Sequence, residues 1–149
     1  MAVWIKIAVF AAFAIPITFI DLKEMRVPDA LSLGGIALIL LLDAFVIKES
    51  LLLLLIETIA GFGVFWLIHV VTRGKLGLGD AKYSAFIALC VGMYAWFTTL
   101  AIASVTGLAC GLILLRLGRV ERSTRIPFAP FLTLGATVSI VLGRLVPGM

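Results

Sequence analysis

Long apolar runs separated by short polar stretches set the rhythm of this chain. Six runs can be drawn, over about residues 3–20, 30–47, 51–72, 80–92, 98–115 and 127–146. Most reach or approach the ~18–20 apolar residues that a helix needs to cross a bilayer. The pattern predicts an all-α, polytopic membrane protein with about six transmembrane helices, forming a single domain over residues 1–149. Pro16 falls inside the first run, where neighbouring helices can satisfy the freed carbonyl. Pro28 and Asp29 open the second, with Asp29 in a first turn that the helix dipole favours. Gly61 and Gly63 in the third run, and small residues such as Ala103, Gly107 and Gly111 in the fifth, suit close helix contact. Residues 73–79 read as a glycine-rich basic loop and 93–97 as a tight aromatic turn. Pro127 and Pro130 open the sixth run, where proline costs little.

Composition agrees with the pattern. The chain is 63% hydrophobic and 13% charged, with mean hydropathy +1.25. A soluble chain of 149 residues could not hide that much apolar surface. The start of the first run, with Lys6 and Ala12-Phe13-Ala14, has features of a secretory signal, but it continues apolar past the alanines. Two cysteines, Cys90 and Cys110, lie inside apolar runs with no C-x-x-C, so both read as packing residues.

The net charge of +4 and pI of about 9.4 call for a partner or a topological reason. With six spans, the loops after runs one, three and five share a side. That side carries Lys23, Arg26, Arg73, Lys75, Lys82, Arg116, Arg119, Arg122 and Arg125, against Lys6, Lys48 and Arg144 on the other. The bias predicts both termini outside and the basic loops in the cytoplasm. Membrane lipid is then the partner of this charge, and nucleic acid is not expected.

Two acids stand out against this background. Asp21 ends the first run and Asp80 opens the fourth. Two spans separate them, one out and one back, so both finish at the same face. A charge there is expensive unless it is used. Two carboxylates a few ångströms apart do not both ionise readily. The charged one can deprotonate a water while the protonated one hydrogen-bonds a scissile carbonyl. This aspartic-protease arrangement needs no metal or cofactor. Gly77 and Gly79 beside Asp80 can admit a close backbone or unusual dihedrals. The blander alternative makes Asp80 a helix cap and Asp21 a solvated interface charge.

The remaining inventory narrows the choice. One histidine excludes an H-E-x-x-H zinc site. No G-x-S-x-G surrounds Ser84, the serine nearest His69 in sequence, so His69 reads as packed or near headgroups. Glu57 lies ~18 Å from His69 along a helix. It sits toward the outer leaflet, and is expected to be protonated or hydrogen-bonded to a neighbouring span. Asp43 is expected to reach the interface at the far end of the second run, and Lys82 to bind headgroups.

Gly77-Leu78-Gly79-Asp80-Ala81-Lys82 resembles the G-x-G-D-x-K motif of type IV prepilin peptidases, the G-x-G-D membrane aspartyl proteases. Asp21 followed by Arg26-Val27-Pro28-Asp29 resembles their first-aspartate segment, D-x(4)-R-[IV]-P-N. Ile126-Pro127-Phe128-Ala129-Pro130-Phe131, with Gly135 beyond, resembles their C-terminal I-P-F-G-P-[FY] segment. Asp29 stands where asparagine is usual, and Ala129 where glycine is usual. The resemblance implies that Asp21 and Asp80 are the catalytic pair of an endopeptidase. Gly77, Gly79 and Lys82 would support the motif, and Arg26, Pro28, Pro127, Phe128 and Pro130 would touch substrate or shape the site. It implies cleavage of short basic leaders from prepilin-like proteins at the cytoplasmic face of a bacterial or archaeal plasma membrane, without metal or cofactor. Larger family members carry a cytoplasmic insertion with paired C-x-x-C motifs and methylate the new N-terminus. The chain resembles the small peptidase-only branch, as in tight-adherence pilus systems, and methyl transfer is not expected. Two competing readings are a small proton-coupled transporter using Asp21, Asp80 and Glu57, and a non-catalytic component of a pilus or secretion assembly.

Overall fold

A computed structural model describes residues 2–74, 76–119 and 126–145. Among these the chain is entirely helical: α1 (Ala2–Glu24), α2 (Asp29–Leu42) prolonged by a π-helical turn (Asp43–Ile47), α3 (Leu51–Val71), α4 (Leu78–Val91), α5 (Met93–Arg116) and α6 (Ala129–Leu145). Four are long and apolar enough to cross a membrane: Val3–Glu24, Asp29–Ile47, Leu51–Val71 and Met93–Arg116. The polytopic all-α expectation therefore holds. Lys75, Arg122, Arg125 and the C-terminal end of the sixth run lie outside the described residues.

Three boundaries differ from the apolar pattern, each for a local reason. First, α1 continues through Asp21 to Glu24, because Leu22, Lys23 and Glu24 are good helix formers. It stops where Met25 turns left-handed, with φ 53°. Second, residues 93–97 are not a turn but the start of α5. Gly92 alone reverses the chain, at φ 82°, a conformation open to glycine without steric cost. Third, α4 begins at Leu78, two residues before the fourth run, because extended Gly77 caps it there; its 14 residues still cover only about 21 Å against the ~30 Å of a hydrocarbon core.

That short helix is the axis of the molecule. Every residue from Tyr83 to Cys90 is buried, and α1, α2, α3, α5 and α6 all pack against α4. Glycines set the close approaches. A Cβ on Gly61 of α3 would stand 2.7 Å from Ala85 Cα of α4, and one on Gly135 of α6 would stand 2.5 Å from the Thr99 carbonyl of α5. Phe86 stacks with Phe10 and Tyr83 and meets the edge of Phe13. The buried indole of Trp96 donates to Ser84 Oγ over 3.0 Å. The outward faces carry exposed Leu, Ile and Val, as on Leu51, Ile59 and Val105, the surface that lipid solvates.

Candidate active site

Three connections converge at one end of α4. The α1–α2 turn, the α3–α4 turn and the segment entering α6 enclose a cavity of about 230 Å³. Asp21, Met25, Arg26 and Val27 line it from the first; Leu76, Gly77, Gly79 and Asp80 from the second; Ile126, Pro127 and Phe128 from the third. Asp21 and Asp80, 59 positions apart in the chain, thus share one small chamber.

Each acid is held by helix geometry. Asp21 is buried, at 3% exposure, and its Oδ2 accepts the Ala129 backbone N–H over 3.0 Å. Ala129 is the first residue of α6, so this amide belongs to the positive end of a helix dipole, which favours a carboxylate. Asp80 stands in the first turn of α4, three residues past the N-cap Gly77. Its Oδ2 folds back to 3.5 Å from the place a Gly77 side chain would occupy. Gly77 is extended (φ −69°, ψ 141°), and neither motif glycine has a positive φ. The expected unusual dihedrals are absent: space is the requirement. A Cβ on Gly79 would meet Val27 Cβ at 2.9 Å and the Val27 carbonyl at 3.0 Å.

A hydroxyl cluster lies one helical turn away from the acids. Thr133 Oγ1 lies 2.7 Å from Thr18 Oγ1 and 2.7 Å from Tyr83 Oη, and donates to the Ala129 carbonyl over 3.0 Å. With its proton spent there, Thr133 accepts from both neighbours. Thr18 is one turn before Asp21, Tyr83 one turn after Asp80, and Thr133 one turn after Ala129. The three helices that carry the acids and the amide are therefore tied together one turn below them. Sequence reasoning missed this cluster, and also the Ala129 amide and the left-handed Met25, because each acquires meaning only from a partner on another helix.

The other singled-out residues divide clearly. Arg26 lines the cavity while its guanidinium pairs with Glu24 over 2.8 Å. Pro28 is the N-cap of α2 and accepts from Ser32 Oγ. Pro127 and Phe128 line the cavity, and Phe128 packs on Phe65 of α3. Pro130 is in the first turn of α6, behind the lining. Lys82 corrects an expectation: it turns to Asp29 Oδ2, 2.7 Å away, and links the first turns of α4 and α2. His69 bonds through Nδ1 to the Leu76 carbonyl and steadies the α3–α4 turn. Asp43 is a second correction, because it is buried at 2% exposure. Asp43 and Glu57 lie toward the opposite end of the bundle. Among the described residues no group of three or more His, Cys, Asp and Glu is arranged to hold a metal.

A family model described as the type IV leader peptidase family matches residues 8–112. Among curated proteins, the prepilin leader peptidase/N-methyltransferase of Stutzerimonas stutzeri is 31% identical over 131 residues, covering 85% of this chain and 45% of the relative. That of Pseudomonas aeruginosa is 32% identical over 131 residues, with the same shares. That of Legionella pneumophila is 29% identical over 148 residues, covering 96% and 49%. The chain spans about half the length of these relatives. No solved structure matches.

Proposed function

Because the chain belongs to the type IV leader peptidase family, we propose that it is an aspartic endopeptidase that removes the leader of prepilin-like proteins, with Asp21 and Asp80 as the catalytic pair. The observation that carries this reading is the shared cavity: both carboxyls line it, on the three segments whose motifs resemble the family's. The α6 amide on Asp21 favours the charged form there, which leaves Asp80 to carry the proton. Asp21 takes a proton from a water in the chamber, and the water oxygen attacks the scissile carbonyl. Asp80 hydrogen-bonds the carbonyl oxygen as negative charge grows on it. The proton then passes to the leaving amine as the C–N bond breaks.

The basic residues of the loops around this chamber support placing it at the cytoplasmic face of a bacterial or archaeal inner membrane. Both termini are then outside. A prepilin-like substrate presents an apolar helix within the bilayer and a basic leader beyond it. The cut falls at the boundary, at the depth of the chamber.

Incubation of the purified protein in detergent with a prepilin-type substrate tests this directly. Mass spectrometry is expected to find one shortened product. Asp21→Asn and Asp80→Asn are each expected to lower the rate by about 10²–10⁴-fold, with circular dichroism unchanged. Full activity in either folded variant removes the pair from the mechanism. Ion flux in vesicles with no cleaved product favours the transporter instead.

A further inference from the structure

The end of the bundle away from Asp21 and Asp80 carries charge that peptide cleavage does not use. Lys6 precedes Asp21 by 15 positions on α1, about 22 Å along the helix. It is buried, at 7% exposure, and so are Asp43 at the end of α2 and Glu57 on α3. The Lys6 ammonium donates to Glu49 Oε2 over 2.7 Å. It stands 3.9 Å from Asp43 Oδ2, too far for a hydrogen bond. Among the described residues, both oxygens of Asp43 and Oε2 of Glu57 are buried without a hydrogen-bond partner. The Glu49 amide lies near Asp43, and the Met93 amide near Glu57.

Asp43 is not a stray interface residue. It continues the inward face of α2, after Ser32, Gly35 and Ile39, and it opens the π turn. Lys48 closes that turn by donating its N–H to the Asp43 carbonyl over 2.7 Å, in left-handed backbone at φ 60°. Such single π turns often mark sites of function.

Charge balance then decides the occupant. One ammonium faces three carboxylates, and its close partner is the rim residue Glu49. Asp43 and Glu57, both ionised with bare oxygens in the protein interior, would each carry a large desolvation penalty. A metal ion in that space would press against the Lys6 ammonium, and the described residues provide no metal cluster. A proton is small enough and supplies the missing donor. We propose that Asp43 and Glu57 form a buried acid pair that binds protons, with at least one held at neutral pH and with Lys6 as the fixed countercharge. The groups facing the pair are Lys6 from α1, Glu49 from the α2–α3 turn, the Cys90 thiol from α4 and the Met93 amide from α5. Among the described side chains α6 adds no charge. Release of the proton places like charges between α2 and α3 and loosens that end of the bundle.

Infrared spectroscopy of the full chain in lipid nanodiscs tests the pair, in an Asp21→Asn/Asp80→Asn background that removes the two acids of the candidate active site. A protonated-carboxyl C=O band is expected at neutral pH, shifting in D₂O. Asp43→Asn with Glu57→Gln is expected to abolish it. If that double replacement does not fold, Asp43→Asn and Glu57→Gln are made singly, and at least one of them is expected to weaken or shift the band. Absence of the band in the parent, or a band that ignores these replacements, overturns the proposal. Melting curves in sodium and choline chloride at equal ionic strength are expected to coincide; a sodium-specific rise in Tm overturns the proton in favour of a small cation.

Discussion

Gly79 shows how little room the site leaves. Its missing side chain lets Val27 of the α1–α2 turn rest on the first turn of α4, with the carbonyl of Val27 3.0 Å from where a Cβ would be. A backbone oxygen cannot step aside as a flexible side chain can. Gly79→Ala is expected to cost about 1–3 kcal/mol of stability by overpacking, and to cut the cleavage rate at least about tenfold by shifting Asp80 against Asp21. Gly63 is the control, because nothing lies within 4 Å of its added Cβ. Gly63→Ala is expected to keep the rate and hold or raise Tm, since glycine inside a helix costs roughly 0.5–1 kcal/mol relative to alanine. Initial rates on one substrate, with melting curves, compare the two. Thr133→Val removes the acceptor that Thr18 and Tyr83 share. A buried polar group left without a partner costs about 1–3 kcal/mol, so Tm is expected to fall. By contrast Lys82 and Asp29 are partly exposed, and loss of that pair is worth about 0–1 kcal/mol.

Among the elements, α3 depends on α4. Its packing partner along its length is α4, and the contact is set by Gly61 against the Ala85 backbone. Gly61→Leu cannot be absorbed by a rotamer change, because the obstructing atom is main chain. It is expected to push α3 outward, lower Tm sharply and release the α3–α4 turn that His69 steadies through Leu76. Loss of cleavage in this variant, with Asp21 and Asp80 both intact, is the measurable consequence. The same reasoning explains why α4 can be short. A helix enclosed by five others needs no lipid-facing length of its own.

For the molecule as a whole, charge orients the bundle and charge limits the reaction. In the proposed orientation the side with nine basic residues, against three on the other, is the cytoplasmic one. With Cys90 and Cys110 replaced by alanine, a cysteine at Lys23 is expected to react with an impermeant thiol reagent from the cytoplasmic side only, and one at Lys48 from the other side only. The reverse labelling refutes the orientation. In the proposed mechanism Asp21 and Asp80 work with one proton shared between them. Below the working range both are protonated and no base remains; above it both are ionised and no acid remains. The profile of kcat/KM against pH is therefore expected to be bell-shaped, with its two limbs belonging to the pair rather than to either residue. A flat profile contradicts a shared proton.

Apolar run length and charge bias are local sums along the chain. They were enough for the helical class, six helices with boundaries good to a few residues, and the two acids falling at like-facing helix ends. Parity needs no coordinates, because each crossing reverses direction. What the amino-acid order left open were the relations between helices: that α4 is the axis, that the first amide of α6 reaches Asp21, that three hydroxyls meet one turn from the acids, and that Lys82 finds Asp29. Lys6, Asp43 and Glu57 likewise converge only in space. Each depends on the rotation and depth of one helix against another. Side-chain packing sets these at close range, at glycines whose neighbours cannot be read from their own positions.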